Sequence, residues 1–212
     1  MPLFHRLVKG KFMLDQIFTI PFVSLTVTFI LLMDGPGNIP IFLSVLKQFP
    51  PRRQLIIIAR ELVIALIIMF FFALCGSYVL GHLGIQNPSI QIAGGILLFI
   101  IGLQMIFSFG DIQNPKLKGE PFIVPLAVPM IAGPAVLAAI MVFSENPELK
   151  SVLLISIFLA WIITTLILLL ACPLSKLLGE KGLLALEKLM GLILTLLAVQ
   201  LFLDGFYSFF NS

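Results

Sequence analysis

The stretch Met33-Asp-Gly-Pro-Gly-Asn-Ile-Pro40 lies inside a long apolar run and decides how the rest of the chain is interpreted. Proline removes a backbone donor and glycine gives up backbone order, so this octapeptide predicts a break in a helix. In lipid, the freed backbone groups need partners in protein or in a water-lined cavity. A carboxylate at membrane depth costs about 2.5–3.5 kcal/mol on insertion scales, which makes Asp34 a candidate site residue.

The composition is that of an integral membrane protein. Of the 212 residues, 60% are hydrophobic and only 11% are charged, and the mean hydropathy is +1.16. These values exclude an ordinary soluble domain. The net charge of +3 is modest and the basic residues cluster in loops, which suits lipid headgroups and not nucleic acid. Cys75 and Cys172 are isolated within apolar segments, so we expect no metal site, no cofactor and no disulfide framework.

The chain contains six apolar segments, each close to the ~20 residues that a bilayer requires. This pattern predicts an all-α membrane protein with six transmembrane helices in one domain, residues 1–212. The segments cover residues 16–46, 62–83, 90–109, 122–143, 151–173 and 189–210. The first is too long for one span, so residues 12–24 either span the membrane or lie along its surface. We expect loops over residues 110–121 and 175–188, and Arg60 and Glu61 at the membrane surface.

The two halves of the chain are predicted to be an inverted repeat. A shift of 98 residues lays Gly35-Pro36 on Gly133-Pro134. Shifts of 97 and 96 residues pair Cys75 with Cys172, Gly95 with Gly191 and Gln104 with Gln200. Since each half holds three spans, the second copy must enter the membrane upside down. The predicted repeats are residues 12–110 and 122–210, with helices 1 and 4 broken at their Gly-Pro motifs.

This architecture predicts a secondary transporter. Inverted repeats with discontinuous helices place a substrate site near the bilayer midplane, and amides at a half-helix start suit a carboxylate. Asp34 would meet an ammonium group or a coupling cation, H⁺ or Na⁺. The predicted substrate-binding residues are Asp34, Gly35, Pro36, Gly37, Asn38, Ala132, Gly133, Pro134, Ala135, Gln104 and Gln200.

Other roles for these residues stay open at this point. Asp34 and Asn38 are also suited to capping the half-helix that follows. Gln104 and Gln200 are equally suited to hydrogen bonds between helices. A channel or a membrane scaffold is the alternative function. An intramembrane enzyme would need Asp34 and Asp204 as a carboxylate dyad, and since the common hydrolase and nucleotide motifs are absent we expect no enzymatic activity.

The distribution of basic residues predicts the orientation in the membrane. With six spans, nine of the thirteen Lys and Arg residues fall on one side, which the positive-inside bias makes cytoplasmic. Both termini are then predicted to lie outside. The nine are Lys47, Arg52, Arg53, Arg60, Lys116, Lys118, Lys176, Lys181 and Lys188.

Three stretches, Asp34–Pro40, Ile92–Phe99 and Val124–Pro134, together resemble the MarC family of six-span bacterial inner-membrane proteins. The resemblance covers nearly the whole chain from about Leu14, and it extends more distantly to amino-acid exporters of the LysE type. It implies a location in the bacterial inner membrane. Because some members move small neutral amino acids, it also implies a small zwitterionic substrate. The sequence permits a homo-oligomer and does not indicate the direction of transport.

Overall fold

The computed structural model describes residues 22–46, 48–107 and 130–211, and every regular element in these ranges is helical. The helices are α1 (residues 22–33), α2 (Gly35–Leu46), α3 (Pro51–Leu83), α4 (Asn87–Phe107), α5 (Pro134–Ser144), α6 (Lys150–Leu169) and α7 (Ala171–Asn211). A single 3₁₀ turn, Pro147–Leu149, joins α5 to α6.

Five helical stretches of the described chain are long and apolar enough to cross a membrane. They are Phe22–Leu46, Pro51–Gly76, Asn87–Phe107, Lys150–Leu169 and Ala171–Phe210. Large apolar side chains such as Ile67, Leu196 and Phe107 are more than half exposed, as expected for surfaces that face lipid. The prediction of an all-helical membrane protein is therefore confirmed.

The fourth predicted segment is described only in its second part. The helix α5 starts at Pro134 and, with eleven residues, is too short to span a bilayer by itself. Three predicted stretches lie wholly or mostly outside the described ranges: residues 122–129, the loop 110–121 and residues 12–24.

The predicted start of the second helix is wrong by about three turns. The helix α3 begins at Pro51, because Pro50 is extended and Pro51 takes the first helical position, where its missing N–H costs nothing. Arg60 and Glu61 consequently lie inside the helix, and Glu61 is fully buried. Its Oε1 accepts hydrogen bonds from Nε and Nη2 of Arg60, at 3.0 and 2.8 Å.

The predicted loop over residues 175–188 is also wrong, because these residues belong to α7. The segment is rich in Leu, Lys and Glu, which are strong helix formers, and its basic residues lie on an exposed surface. Gly179 alone departs from helical geometry, at φ 66° and ψ 177°, and marks a kink. Residues 180–211 then form one continuous helix that carries Glu187 inward.

The helices α4 and α7 pack antiparallel with their backbones in direct contact. An ideal Cβ at Gly95 would lie 2.9 Å from the carbonyl oxygen of Ala198 and from the amide nitrogen of Phe202. Towards the other end of the pair, an ideal Cβ at Gly191 would lie 2.9 Å from the carbonyl oxygen of Gly102. Only glycine permits this approach, which is the usual device for close packing of membrane helices.

The shorter helices pack across the halves of the chain. The helix α2 contacts α6 and α7, whereas α5 contacts α3 and α4. A third contact between the halves joins α3 to α6, where Nε1 of Trp161 donates to the carbonyl oxygen of Leu62 at 2.7 Å. Each half is thus stabilised mainly by helices of the other half.

Replacing Gly95 by alanine is expected to destabilise the protein by about 1–3 kcal/mol, because the added methyl group meets backbone atoms of α7 that cannot give way. The measurement is the thermal unfolding midpoint of the purified protein in detergent. Ala93→Leu is the matched control, since Ala93 is exposed on the same helix and should leave the midpoint unchanged. An unchanged midpoint for Gly95→Ala would contradict the close packing.

Candidate functional site

The membrane stretch Phe22–Leu46 departs from helical conformation at one residue, Asp34. Its φ of 44° lies in the left-handed region, which aspartate tolerates better than most residues. Helical hydrogen bonds continue on both sides, since the Asp34 amide donates to Ile30 O at 3.2 Å and the Asn38 amide to Asp34 O at 3.1 Å. The departure from helical geometry is therefore confined to Asp34, and the backbone hydrogen bonds continue on either side of it.

The side chains at this turn bond to the backbone around it. Oδ1 of Asp34 accepts a hydrogen bond from the Gly37 amide at 3.0 Å, so Asp34 caps the start of α2. Nδ2 of Asn38 donates to the carbonyl oxygen of Met33 at 3.1 Å. Both side chains are buried, with 4% of Asp34 and 8% of Asn38 exposed. The capping role considered for Asp34 is thus present, and it leaves Oδ2 for a further contact.

Neighbouring helices pack closely on this turn. An ideal Cβ at Gly35 would lie 3.2 Å from Cγ2 of Thr164 on α6. A Cβ at Gly37 would collide with the Asp34 carboxylate and with Cε of Met105 on α4. Met105 also packs against α7, because its Cβ lies 2.7 Å from an ideal Cβ at Gly191. Glycine is required at position 37 because any Cβ there would collide with the Asp34 carboxylate, which accepts the hydrogen bond from the Gly37 amide.

A second buried carboxylate, Glu187, lies on α7, the helix that packs against α2. Only 6% of Glu187 is exposed. The sequence analysis missed this residue because it placed residue 187 in a loop. One signal could have found it, since Glu187 precedes Gly191 by four residues and a helix extended by one turn puts both on one face. The structure therefore buries two acidic side chains from opposite halves of the chain in neighbouring helical segments.

The second motif lies in the same apolar core but contacts α4 at a different height. Gly133 is extended and buried, and Pro134 is the first residue of α5. Ala132 and Ala135 are buried, at 0% and 2% exposed. The Cα of Ala135 lies 3.8 Å from an ideal Cβ at Gly94. Because the first motif contacts α4 at Met105, the two contact points are separated by roughly 16 Å of helix.

Two cavities lie away from both motifs. One, of about 260 Å³, opens between α4 and α7 and includes Gly95 and Phe99. The other, of about 200 Å³, lies where α2, α3, α6 and α7 meet, and Phe42 and Gln54 line it. Residues 34–38 and 132–135 line neither of these two cavities.

The remaining predicted polar residues lie elsewhere. Gln104 is half-buried on α4 beside Met105. Gln200 is exposed, and its Nε2 donates to Oδ1 of Asp204 at 2.8 Å. Asp204 follows Glu187 by between four and five helical turns, roughly 25 Å along α7. Asp34 and Asp204 therefore do not form the carboxylate dyad that an aspartyl enzyme would need.

Comparison with known proteins identifies the family. The family model described as "MarC family integral membrane protein" matches residues 19–210. The chain belongs to the MarC family. Among similar MarC-family proteins, the inner membrane protein YhgN of Escherichia coli K12 is 47% identical over 86% of this chain and 94% of its own length. A membrane protein of Buchnera aphidicola subsp. Baizongia pistaciae is 45% identical over 89% of this chain and 97% of its own.

These findings confirm the resemblance seen in the sequence and the cellular location. The protein is a multi-pass protein of the bacterial inner membrane. A Chlamydia trachomatis membrane protein is a more distant relative, at 36% identity over 88% of this chain and 93% of its own length. No solved structure matches the chain.

Proposed function

We propose that the protein is a secondary transporter of small neutral amino acids whose site is built around Asp34 and Glu187. One observation carries the proposal: the buried Asp34 is the single non-helical residue of a membrane stretch, and a second buried carboxylate, Glu187, lies on α7, which packs against α2. Ionisable groups at membrane depth are costly, and they mark substrate or ion pathways when they are retained.

The chemistry of the pair favours a cationic ligand. Neighbouring carboxylates repel each other when both are ionised, and a cation bound near them reduces that repulsion. The ammonium group of an amino acid, a proton and a sodium ion all meet this requirement. A membrane scaffold has no need of such a pair, and for this reason transport is the function that the site supports best.

The packing around the site favours a small ligand. A Cβ at Gly35 would meet Thr164, and a Cβ at Gly37 would meet Met105, so there is little space next to the turn. Methionine is unbranched and flexible, so its side chain can swing aside and admit a ligand of a few heavy atoms. Together with the family membership, this supports glycine, alanine and serine as the first substrates to test.

The contacts between helices support the proposed 3+3 inverted repeat with discontinuous first and fourth helices. A shift of 96 residues converts the Gly95–Ala198 contact into the Gly191–Gly102 contact, and both place an ideal Cβ 2.9 Å from a carbonyl oxygen. The same shift exchanges α2 with α5. It also exchanges the neighbours of α2, which are α6 and α7, with the neighbours of α5, which are α3 and α4. Transporters with inverted repeats use this symmetry to expose one site alternately to each side.

Asp34→Asn is expected to reduce amino-acid flux by roughly tenfold or more, because a hydrogen-bonded buried charge contributes at least about 1.4 kcal/mol to binding. The variant should fold, since asparagine caps helices as well as aspartate and tolerates the same φ. The measurement is uptake of radiolabelled glycine, alanine and serine into liposomes that contain the purified protein.

Asp204→Asn is the matched control for this experiment, because Asp204 is exposed and pairs only with Gln200 among the contacts described. It should leave flux at the wild-type rate. A wild-type protein that moves none of the three amino acids, or an Asp34→Asn variant with full flux, would overturn the proposal. Ion flux without amino-acid flux would favour a channel.

The proposal includes an orientation with both termini outside. Arg52, Arg53 and Lys176 lie at the end of the molecule where α3 and α7 begin, and the positive-inside bias places that end in the cytoplasm. The turn that carries Glu145 and Glu148 lies at the opposite end, where α6 begins.

Labelling of Cys172 tests this orientation. Cys172 is exposed near the start of α7. In a Cys75→Ser background, a membrane-impermeant maleimide should label Cys172 in inside-out vesicles and not in spheroplasts. A Cys172→Ser protein that carries Glu145→Cys should show the reverse. Labelling of Cys172 in intact spheroplasts would contradict the orientation.

A further inference from the structure

A cavity of about 200 Å³ lies where four helix ends meet. The helices α2 and α6 end at this point, and α3 and α7 begin there. The inner wall is apolar and buried, and Phe42, Leu46, Ile58 and Leu168 form it. Leu55 and Pro173 are exposed at the mouth, so the cavity opens to the surroundings.

Polar contacts fix the mouth of this cavity. Nε2 of Gln54 donates to the carbonyl oxygen of Phe49 at 2.9 Å. Its Oε1 accepts a weak hydrogen bond from Sγ of Cys172 at 3.7 Å, which ties the start of α3 to the start of α7. An apolar interior with an ordered polar rim is the usual form of a ligand pocket.

Basic residues adjoin in sequence the residues that line the mouth of the cavity. Arg52 and Arg53 lie between the lining residues Pro51 and Gln54 in the first turn of α3, and both are exposed. Lys176 follows Cys172 by one helical turn, so both lie on the same face of α7. Lys181 and Glu180 lie further along α7. Among the described residues at the opposite end, Glu145 and Glu148 outnumber Lys150, so the two ends differ in the sign of their charge.

We propose that this cavity binds one acyl chain of an anionic phospholipid, with the lipid phosphate at Arg52 and Lys176. An acyl chain requires an apolar cavity that opens towards the bilayer, and a phosphate requires basic side chains at the membrane surface. Arginine binds phosphate oxygens through two parallel N–H groups, which gives the contact direction as well as strength.

Such a lipid would hold the ends of α2 and α6 against the starts of α3 and α7. Because α2 begins at Asp34, the lipid would also hold the helix whose first turn carries the candidate transport site. The lipid site itself shares no residue with that site and does not depend on its function.

The test compares lipids on the purified full-length protein. Native mass spectrometry in detergent measures the binding of dioleoyl phosphatidylglycerol and of dioleoyl phosphatidylcholine, which differ in headgroup charge and not in chain length. We expect phosphatidylglycerol to bind at least about tenfold more tightly, and the double substitution Arg52→Gln with Lys176→Gln to abolish that preference. Both residues are exposed, so the variant should fold.

Two further variants complete the design. Lys150→Gln removes a basic residue at the opposite end of the molecule and should leave the preference intact. Leu43→Trp fills the cavity and should weaken both lipids equally. Equal binding of the two lipids by wild type, or full preference in the double variant, would overturn the proposal. So would effective competition by glycerol 3-phosphate, which would indicate an anion site without a place for the acyl chain.

Discussion

The hydrogen bond from the Gly37 amide to the Asp34 carboxylate is the interaction on which the site depends. In hydrocarbon, a helix can change direction only if the backbone groups at the turn find partners inside the protein. Asp34 supplies that partner through its own side chain, and Asn38 supplies another through Met33 O. The same requirement that makes the turn tolerable therefore also fixes a carboxylate inside the membrane.

The glycine contacts between α4 and α7 determine what this carboxylate meets. Backbones that approach within van der Waals contact at Gly95, Gly102 and Gly191 leave the two helices no freedom to slide. Met105 is then held against Gly37, and the buried Glu187 lies about one turn before Gly191 on α7. A change at Gly95 or Gly191 is thus felt at the carboxylate pair, although neither glycine belongs to the site.

Hydropathy predicted the membrane class and most helices, because the ~20 apolar residues of a span are a signal that no tertiary contact can override. The glycine pair Gly95 and Gly191 was found by the repeat, and each lies at a close backbone contact between α4 and α7. The start of α3 and the helical residues 175–188 were missed because charged residues were equated with loops. In α3 the charge of Glu61 is balanced by the preceding residue, Arg60, and hydropathy does not detect such a pairing. Glu187 was missed because residues 175–188 were predicted to be a loop. Its burial depends on the packing of α7 against α4 and α2, which the sequence does not show.

We propose that Asp34 and Glu187 act together in moving substrate. A double-mutant cycle on amino-acid flux tests this, with Asp34→Asn, Glu187→Gln and the combined variant reconstituted in parallel. The combined variant should be impaired about as much as either single variant, which gives a coupling energy above about 1 kcal/mol. Flux losses that simply multiply, or a Glu187→Gln variant with wild-type flux, would contradict it.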